Sequence, residues 1–148
     1  MKPDEPVTVR VRLLSPYART PTMAREGDAA FDLYAAEDYD LRPGEFHAVA
    51  TGIALEIPEG YEGEVRPRSG LAANHGVTVL NSPGTIDSGY RGEVKSILVN
   101  LGPDVFQIRR GMRISQLAIR PIPRVKMMNV ETLSDSERGS SGFGSTGL

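Results

Sequence analysis

Between Arg138 and Gly147 the chain reads RGSSGFGSTG, which places one guanidinium, several hydroxyls, many unhindered amides and one aromatic ring within ten positions. These are the components of a clamp for a phosphorylated base. Glycines, Gly144 among them, let backbone N–H groups come close to phosphate oxygens. Arg138 can bind the same oxygens in bidentate fashion, Ser145 and Thr146 can donate hydroxyl bonds, and Phe143 can stack on a flat base. The spacing is not that of a Walker loop, which ends in Gly-Lys-Ser/Thr and leads into a helix. The same composition also describes an unstructured terminus, so the clamp needs company elsewhere in the chain.

Four other segments supply it. PRSGLA, Pro67 to Ala72, sets Ser69 and Gly70 directly after Arg68, a turn that suits an oxyanion, although an Arg ahead of a turn is commonly just solvated. NSPGTIDSGYRGE, Asn81 to Glu93, joins two apolar runs and carries Asp87 and Tyr90 at its tip. Its Pro83, Gly84, Gly89 and Gly92 fit a hairpin with turns or bulges, and Asp-Ser-Gly is also ordinary turn chemistry. In RRGMRISQLAI, Gln116 shares a phase with Met112, Ile114 and Ala118, a polar amide on a face otherwise available for burial. It either bonds neighbouring strands or points at a ligand. Asp32 stands between Phe31 and Leu33 in DAAFDLYAA, where a carboxylate binds a hydrated cation or ends a turn.

The elements that must position these groups are strands. VTVRVRL puts Val7, Val9, Val11 and Leu13 on one side of a half-buried strand, and Val49, Thr51, Ile53, Leu55 and Ile57 repeat the period until Pro58, Glu59 and Gly60 end it. Tyr61 to Arg66, Gly76 to Leu80, Val94 to Leu101, Met112 to Ile119 and Val125 to Leu133 are further short runs. With 16 Gly and 11 Pro punctuating them, the pattern predicts an all-β sandwich or barrel, with one helical turn over Leu71 to His75. From Ser134 to Leu148 Ser and Gly dominate, and only Phe143 and Leu148 could bury much apolar surface. A body over residues 1–133 is therefore expected to carry an arm over 134–148 that cannot pack a core of its own.

Bulk properties exclude whole classes. A chain of 148 residues suits one domain, and 39% hydrophobic with 24% charged residues is ordinary for a globular protein. A net charge of -2, from 17 basic and 19 acidic residues, gives no basis for gripping a nucleic-acid polymer. The absence of cysteine removes disulfides and thiolate metal sites, and His47 and His75 are the only imidazoles, so a metal is expected to be a hard, oxygen-bound cation. No run of about 18 apolar residues could span a membrane, and MKPDEP lacks the basic-then-apolar pattern of a secretory signal. A soluble, cytoplasmic protein is the expectation.

Taken together and in order, the five segments resemble the trimeric dUTP pyrophosphatase (dUTPase) family over most of the chain from Asp28 to Gly147. PRSGLA, NSPGTIDSGYRGE and RGSSGFGSTG look nearly letter-for-letter like that family's second, third and fifth motifs, while DAAFDLYAA and RGMRISQL look like its first and fourth. Departures are Ala30 where the family usually has Gly, Met112 where it usually has an acid, and Ser115 where Ala is common.

The resemblance implies an all-β, distorted jelly-roll or β-clip domain forming a homotrimer. Each active site would be assembled from neighbouring chains and closed by a flexible C-terminal arm. It implies hydrolysis of dUTP to dUMP and pyrophosphate with Mg²⁺, which limits uracil incorporation into DNA and supplies dUMP for dTMP synthesis. Asp87 would orient and deprotonate the water that attacks the α-phosphorus, since burial near phosphates makes a carboxylate a better base. Asp32 would hold Mg²⁺ through its waters, Arg68, Ser69, Gly70 and Gln116 would bind the phosphates, and Arg138, Gly144, Ser145 and Thr146 would take the γ-phosphate end. Phe143 would cover the uracil, while Asn81 and backbone groups of Thr85, Ile86 and Lys95 would match its edge and Tyr90 would pack on the sugar.

Two rival activities remain open on sequence. The dCTP deaminase family shares the fold and much of the hairpin, but it works on the cytosine amine with a Glu shortly after it, and KSILVN, Lys95 to Asn100, contains none. A non-catalytic nucleotide sensor would bind dUTP and signal to a partner; the intact Asp87 argues against it.

Overall fold

Alternation of apolar and polar residues dictates two faces for each strand, and the structure, a computed structural model, stacks those faces into two antiparallel sheets. It describes residues 5–147, so Leu148 and most of the MKPDEP reading lie outside the described residues. Among the described residues the strands are β1 (Arg10–Leu13), β2 (Phe31–Tyr34), β3 (Tyr39–Leu41), β4 (Phe46–Glu56), β5 (Tyr61–Arg66), β6 (Val77–Val79), β7 (Gly84–Ile86), β8 (Glu93–Asn100), β9 (Phe106–Ile108) and β10 (Arg113–Pro121). One helix, α1 (Ser69–His75), starts two residues before the predicted turn. One sheet runs β1-β4-β8-β6, the other β2-β10-β5-β7, and β3 pairs with β9. Inward residues of both sheets, including Val49, Ile53 and Leu98 from one and Leu33, Val65 and Ile114 from the other, form one core cluster. Each fully buried side chain of this size contributes about 2 kcal/mol. This is the predicted all-β fold, in its jelly-roll form.

Three expectations need correcting. The run Val125 to Leu133 forms no strand: every residue from 121 to 141 is exposed, and Met127 and Leu133 are 88% and 86% exposed. A strand needs a partner edge, and this segment meets none among the described residues. Second, the connection from Asn81 to Glu93 is more than a hairpin tip. β6 and β8 do pair, Val77 opposite Asn100, but the chain between them leaves that sheet and adds β7 to the edge of the other, Glu64 opposite Thr85. Third, the phase of β10 is broken. Its pairing with β2 shifts between Arg113 and Ser115, so Ile114 and Ser115 are both buried and Arg113, not Ile114, shares the outer face with Gln116. A bulge re-aims side chains in this way. Ser115 is fully buried there, and its hydroxyl has no hydrogen-bond partner among the described residues.

The junction of α1 with β8 is locked by polar groups. Gly76 closes α1 in the left-handed region, φ 67°, against the backbone of Gly102, where a Cβ would come within 2.8 Å of the Gly102 nitrogen. Asn100 is fully buried and donates from Nδ2 to the carbonyls of Leu41 (2.9 Å) and Asp104 (2.8 Å), while its Oδ1 accepts from the Gly102 amide (2.9 Å). Asn100→Ala orphans three backbone groups and is expected to cost roughly 3 kcal/mol. A urea midpoint equal to that of the parent would contradict this assignment. No helix among the described residues is long and apolar enough to cross a membrane.

Candidate active site

Because β7 belongs to one sheet and β8 to the other, their divergence opens a cavity of about 540 Å³. Its walls include Asn81, Thr85, Ile86, Asp87, Tyr90 and Lys95, all predicted from the hairpin segment. β7 is the edge of its sheet, so one side of its backbone has no partner strand. β8 pairs with β4 at Lys95, Ala50 opposite, but β6 reaches it only from Leu98 to Asn100. The Leu80 N–H donates to the Ile97 carbonyl at 2.8 Å, and beyond it two strand margins without a partner strand among the described residues line one cavity, the chemistry needed to read the edge of a flat polar base. Val65, Ala48 and Ile97 supply apolar wall.

Tyr90 is fixed at the mouth. Its hydroxyl donates to the Glu93 carbonyl at 2.9 Å, and its ring lies against Gly92, where any side chain would collide with it. The Tyr90 amide donates to the Asp87 carbonyl at 3.1 Å, closing the turn that presents the Asp87 carboxylate. Below it, the buried Thr51 hydroxyl donates to the carbonyl of Val94, tying β8 to β4. Asp87 was expected to be partly buried; within one chain it is exposed, since the cavity is open on that side. Glu93 also lines the cavity, and its Oε2 is buried without a hydrogen-bond partner among the described residues. Sequence reasoning passed over Glu93, although its two-residue spacing from Lys95 on β8 places both on the cavity side.

A second cluster lies at the other end of the β2-β10-β5-β7 sheet. The register sets Asp32 and Arg66 on either side of Gln116 in one row. The Asp32 side chain is 8% exposed, with Arg68 Nε at 3.8 Å and Arg113 Nη1 at 3.7 Å. Ser69 and Gly70 open α1 on the surface next to Arg68. Along the same face Glu62 and Glu64 share a hydrogen bond that raises the Glu62 carboxyl above its ordinary value. Glu64, which accepts from Arg66 Nε (2.9 Å) and Nη2 (2.6 Å), is lowered chiefly by that guanidinium.

The arm joins neither group. Arg138 Nε donates to the Ser141 carbonyl at 2.9 Å and tight turns follow, leaving Phe143 fully exposed at a positive φ of 53°. One chain thus brings Asn81, Thr85, Ile86, Asp87, Tyr90 and Lys95 together, gathers Asp32, Arg68 and Gln116 with Ser69 and Gly70 close by in sequence, and holds Arg138, Phe143, Gly144, Ser145 and Thr146 apart from both.

Comparison with known proteins identifies the family. The family model for dUTPase matches residues 16–147. The deoxyuridine 5'-triphosphate nucleotidohydrolase of Clostridium tetani is 50% identical over 140 residues, covering 95% of this chain and 97% of its own. That of Rhizobium etli is 53% identical over 132 residues, covering 86% and 85%. Among solved structures, the dUTPase of Staphylococcus bacteriophage 80alpha with dUPNHPP superimposes at a TM-score of 0.85 with 34% identity, over 95% of this chain and 99% of that one. A mutant dUTPase from phage phi11 of S. aureus, described for its coordination of a structural Mg(II) ion, gives 0.78 with 30% identity, over 84% and 97%. The chain belongs to the dUTPase family.

Proposed function

We infer that this chain hydrolyses dUTP to dUMP and pyrophosphate in the cytoplasm, by in-line attack of water at the α-phosphorus. The observation that carries this reading is the cavity between β7 and β8, with two unpaired strand margins inside and Asp87 at its mouth. Uracil offers two carbonyl acceptors and one N–H, and backbone groups of Thr85, Ile86 and Lys95 with the Asn81 amide complement them. Cytosine would leave buried groups unpaired, and a close wall at C5 leaves no room for the thymine methyl. Tyr90, pinned to Glu93, packs on the deoxyribose where a 2′-hydroxyl would collide. Asp87 orients the water and takes its proton as the bond to phosphorus forms.

The phosphates need donors that the cavity lacks. Arg68, Ser69, Gly70 and Gln116 supply them, and the arm closes over the nucleotide with Arg138, Gly144, Ser145 and Thr146 on the γ-phosphate end and Phe143 on the base. These groups lie apart in one chain, so the complete site is built in a homotrimer, with hairpin, basic cluster and arm from neighbouring copies. The exposed Val125, Met127, Met128, Val130 and Leu133 support this, because the described residues of their own chain leave this apolar ribbon uncovered and a neighbouring copy would cover it. The body over residues 1–133 and the arm over 134–148 then have separate tasks.

Mg²⁺ on the triphosphate supplies charge neutralisation. Asp32 would hold that ion only through its waters, since both its oxygens already face guanidinium groups, Arg68 at 3.8 Å and Arg113 at 3.7 Å. Among the described residues no group of three or more His, Cys, Asp or Glu side chains could hold a metal ion by itself. Deamination of dCTP has little support, since Ile97 is the wall residue that KSILVN contributes beyond Lys95.

A panel of dUTP, dTTP, dCTP and UTP, scored for pyrophosphate with Mg²⁺ and after chelation, tests the reading. Pyrophosphate is expected from dUTP alone, with at least about 100-fold preference over the others, and only with the metal. Tight binding of dUTP without turnover would favour the sensor; ammonia from dCTP in proportion to enzyme would favour the deaminase.

A further inference from the structure

The bulge in β10 puts on the outer face a cation that has no role so far. Ile114 and Ser115 both turn inward, and Arg113 therefore lies on the side of Gln116 and Asp32. There Asp32 faces two guanidinium groups with two different oxygens, Oδ1 toward Arg68 Nε at 3.8 Å and Oδ2 toward Arg113 Nη1 at 3.7 Å. Arg68 is held from a second direction, since its Nη1 donates to the Arg113 carbonyl at 3.2 Å. One carboxylate thus brackets two cations that would otherwise repel, and the unit keeps a net positive charge.

Each guanidinium has five N–H donors, and that of Arg113 makes no hydrogen bond to the other described residues beyond this ion pair. Its side chain is 50% exposed, whereas that of Asp32 is 8% exposed. The carboxylate is therefore the fixed point and the two guanidinium ends are the accessible part. A preset pair of planar forks with unused donors suits successive phosphate oxygens better than it suits a single carboxylate.

We propose that Asp32 is a positioning residue that holds Arg68 and Arg113 as a two-armed fork for a pyrophosphate unit, with Arg113 as a direct phosphate ligand. The substrate of the fork rests on the hydrolase reading above, but its test needs no turnover. Binding of inorganic pyrophosphate to the full chain is measured by calorimetry in chelator, and KM and kcat for dUTP are measured with Mg²⁺.

Arg113→Gln alters a half-exposed side chain and is expected to weaken pyrophosphate binding about tenfold and to raise KM with little change in kcat. Asp32→Asn is expected to behave in the same way, Asp32→Glu to recover part of the loss, and Asp32→Asn to add nothing once Arg68 and Arg113 are both Gln. Unchanged pyrophosphate binding in Arg113→Gln, or no binding by the parent chain in chelator, overturns the fork. An Asp32→Asn variant whose only defect is a higher Mg²⁺ requirement overturns the positioning role. A parent that binds pyrophosphate yet leaves dUTP intact sinks the hydrolase reading and leaves the fork standing.

Discussion

Asp87→Ala is expected to leave the chain folded and able to bind dUTP while lowering turnover by about 10²–10⁴-fold, the range for loss of a positioned general base. Folding should survive because the Asp87 side chain is exposed and makes no hydrogen bond or ion pair with the other described residues; the turn is held by its carbonyl, which any residue keeps. Affinity should survive because the substituted group is an anion in a site for a polyanion, so its loss relieves repulsion as well as removing a contact. What remains to be lost is the acceptor for the water proton. Pyrophosphate release under saturating dUTP, set beside calorimetric binding and a melting curve, separates the three effects. Near-normal turnover would refute the role of base, and a lowered melting point would show that Asp87 has structural work that its surroundings do not reveal.

The sequence carries the cavity better than it carries the rest of the site. β5 coincides with the run Tyr61 to Arg66 because Gly63 and Val65 point inward in strict alternation. The hairpin residues converge because they are near neighbours along one segment, and turn chemistry fixes such a segment locally. β7 is harder to see: its three residues are too few for a period, and its partner β5 is recognisable only once the two sheets exist. The bulge in β10 is likewise invisible to periodicity, which put Gln116 in phase with Ile114; the structure gives that phase to Arg113. The run Val125 to Leu133 has the composition of a strand and no strand geometry, since composition reports what a segment can bury and not whether its own chain offers a partner. The exposed Asp87 follows the same logic: in the proposed trimer its burial would depend on neighbouring copies, which no pattern within one chain reports.

Removing the chain from Arg138 onward is expected to preserve the fold and the oligomer and to lower turnover of dUTP by at least about 10²-fold, comparable with deleting an oxyanion donor. Among the described residues the last strand ends at Pro121 and none of those buried in or packed against the core lies beyond Ile119, so the truncation takes none of them from the packed interior. It spares the apolar ribbon from Val125 to Leu133, so the contacts proposed for it with neighbouring copies should persist. It takes Arg138, Phe143, Ser145 and Thr146, which in one chain contact neither the cavity nor the basic cluster. In the proposed closed site their contacts are made to bound nucleotide: loss of those made equally in the ground state raises KM, and loss of those strengthened in the transition state lowers kcat. Sedimentation and melting measurements should match the parent while kcat/KM falls; a truncated chain that hydrolyses dUTP at the parental rate would show that the arm takes no part in closing the site.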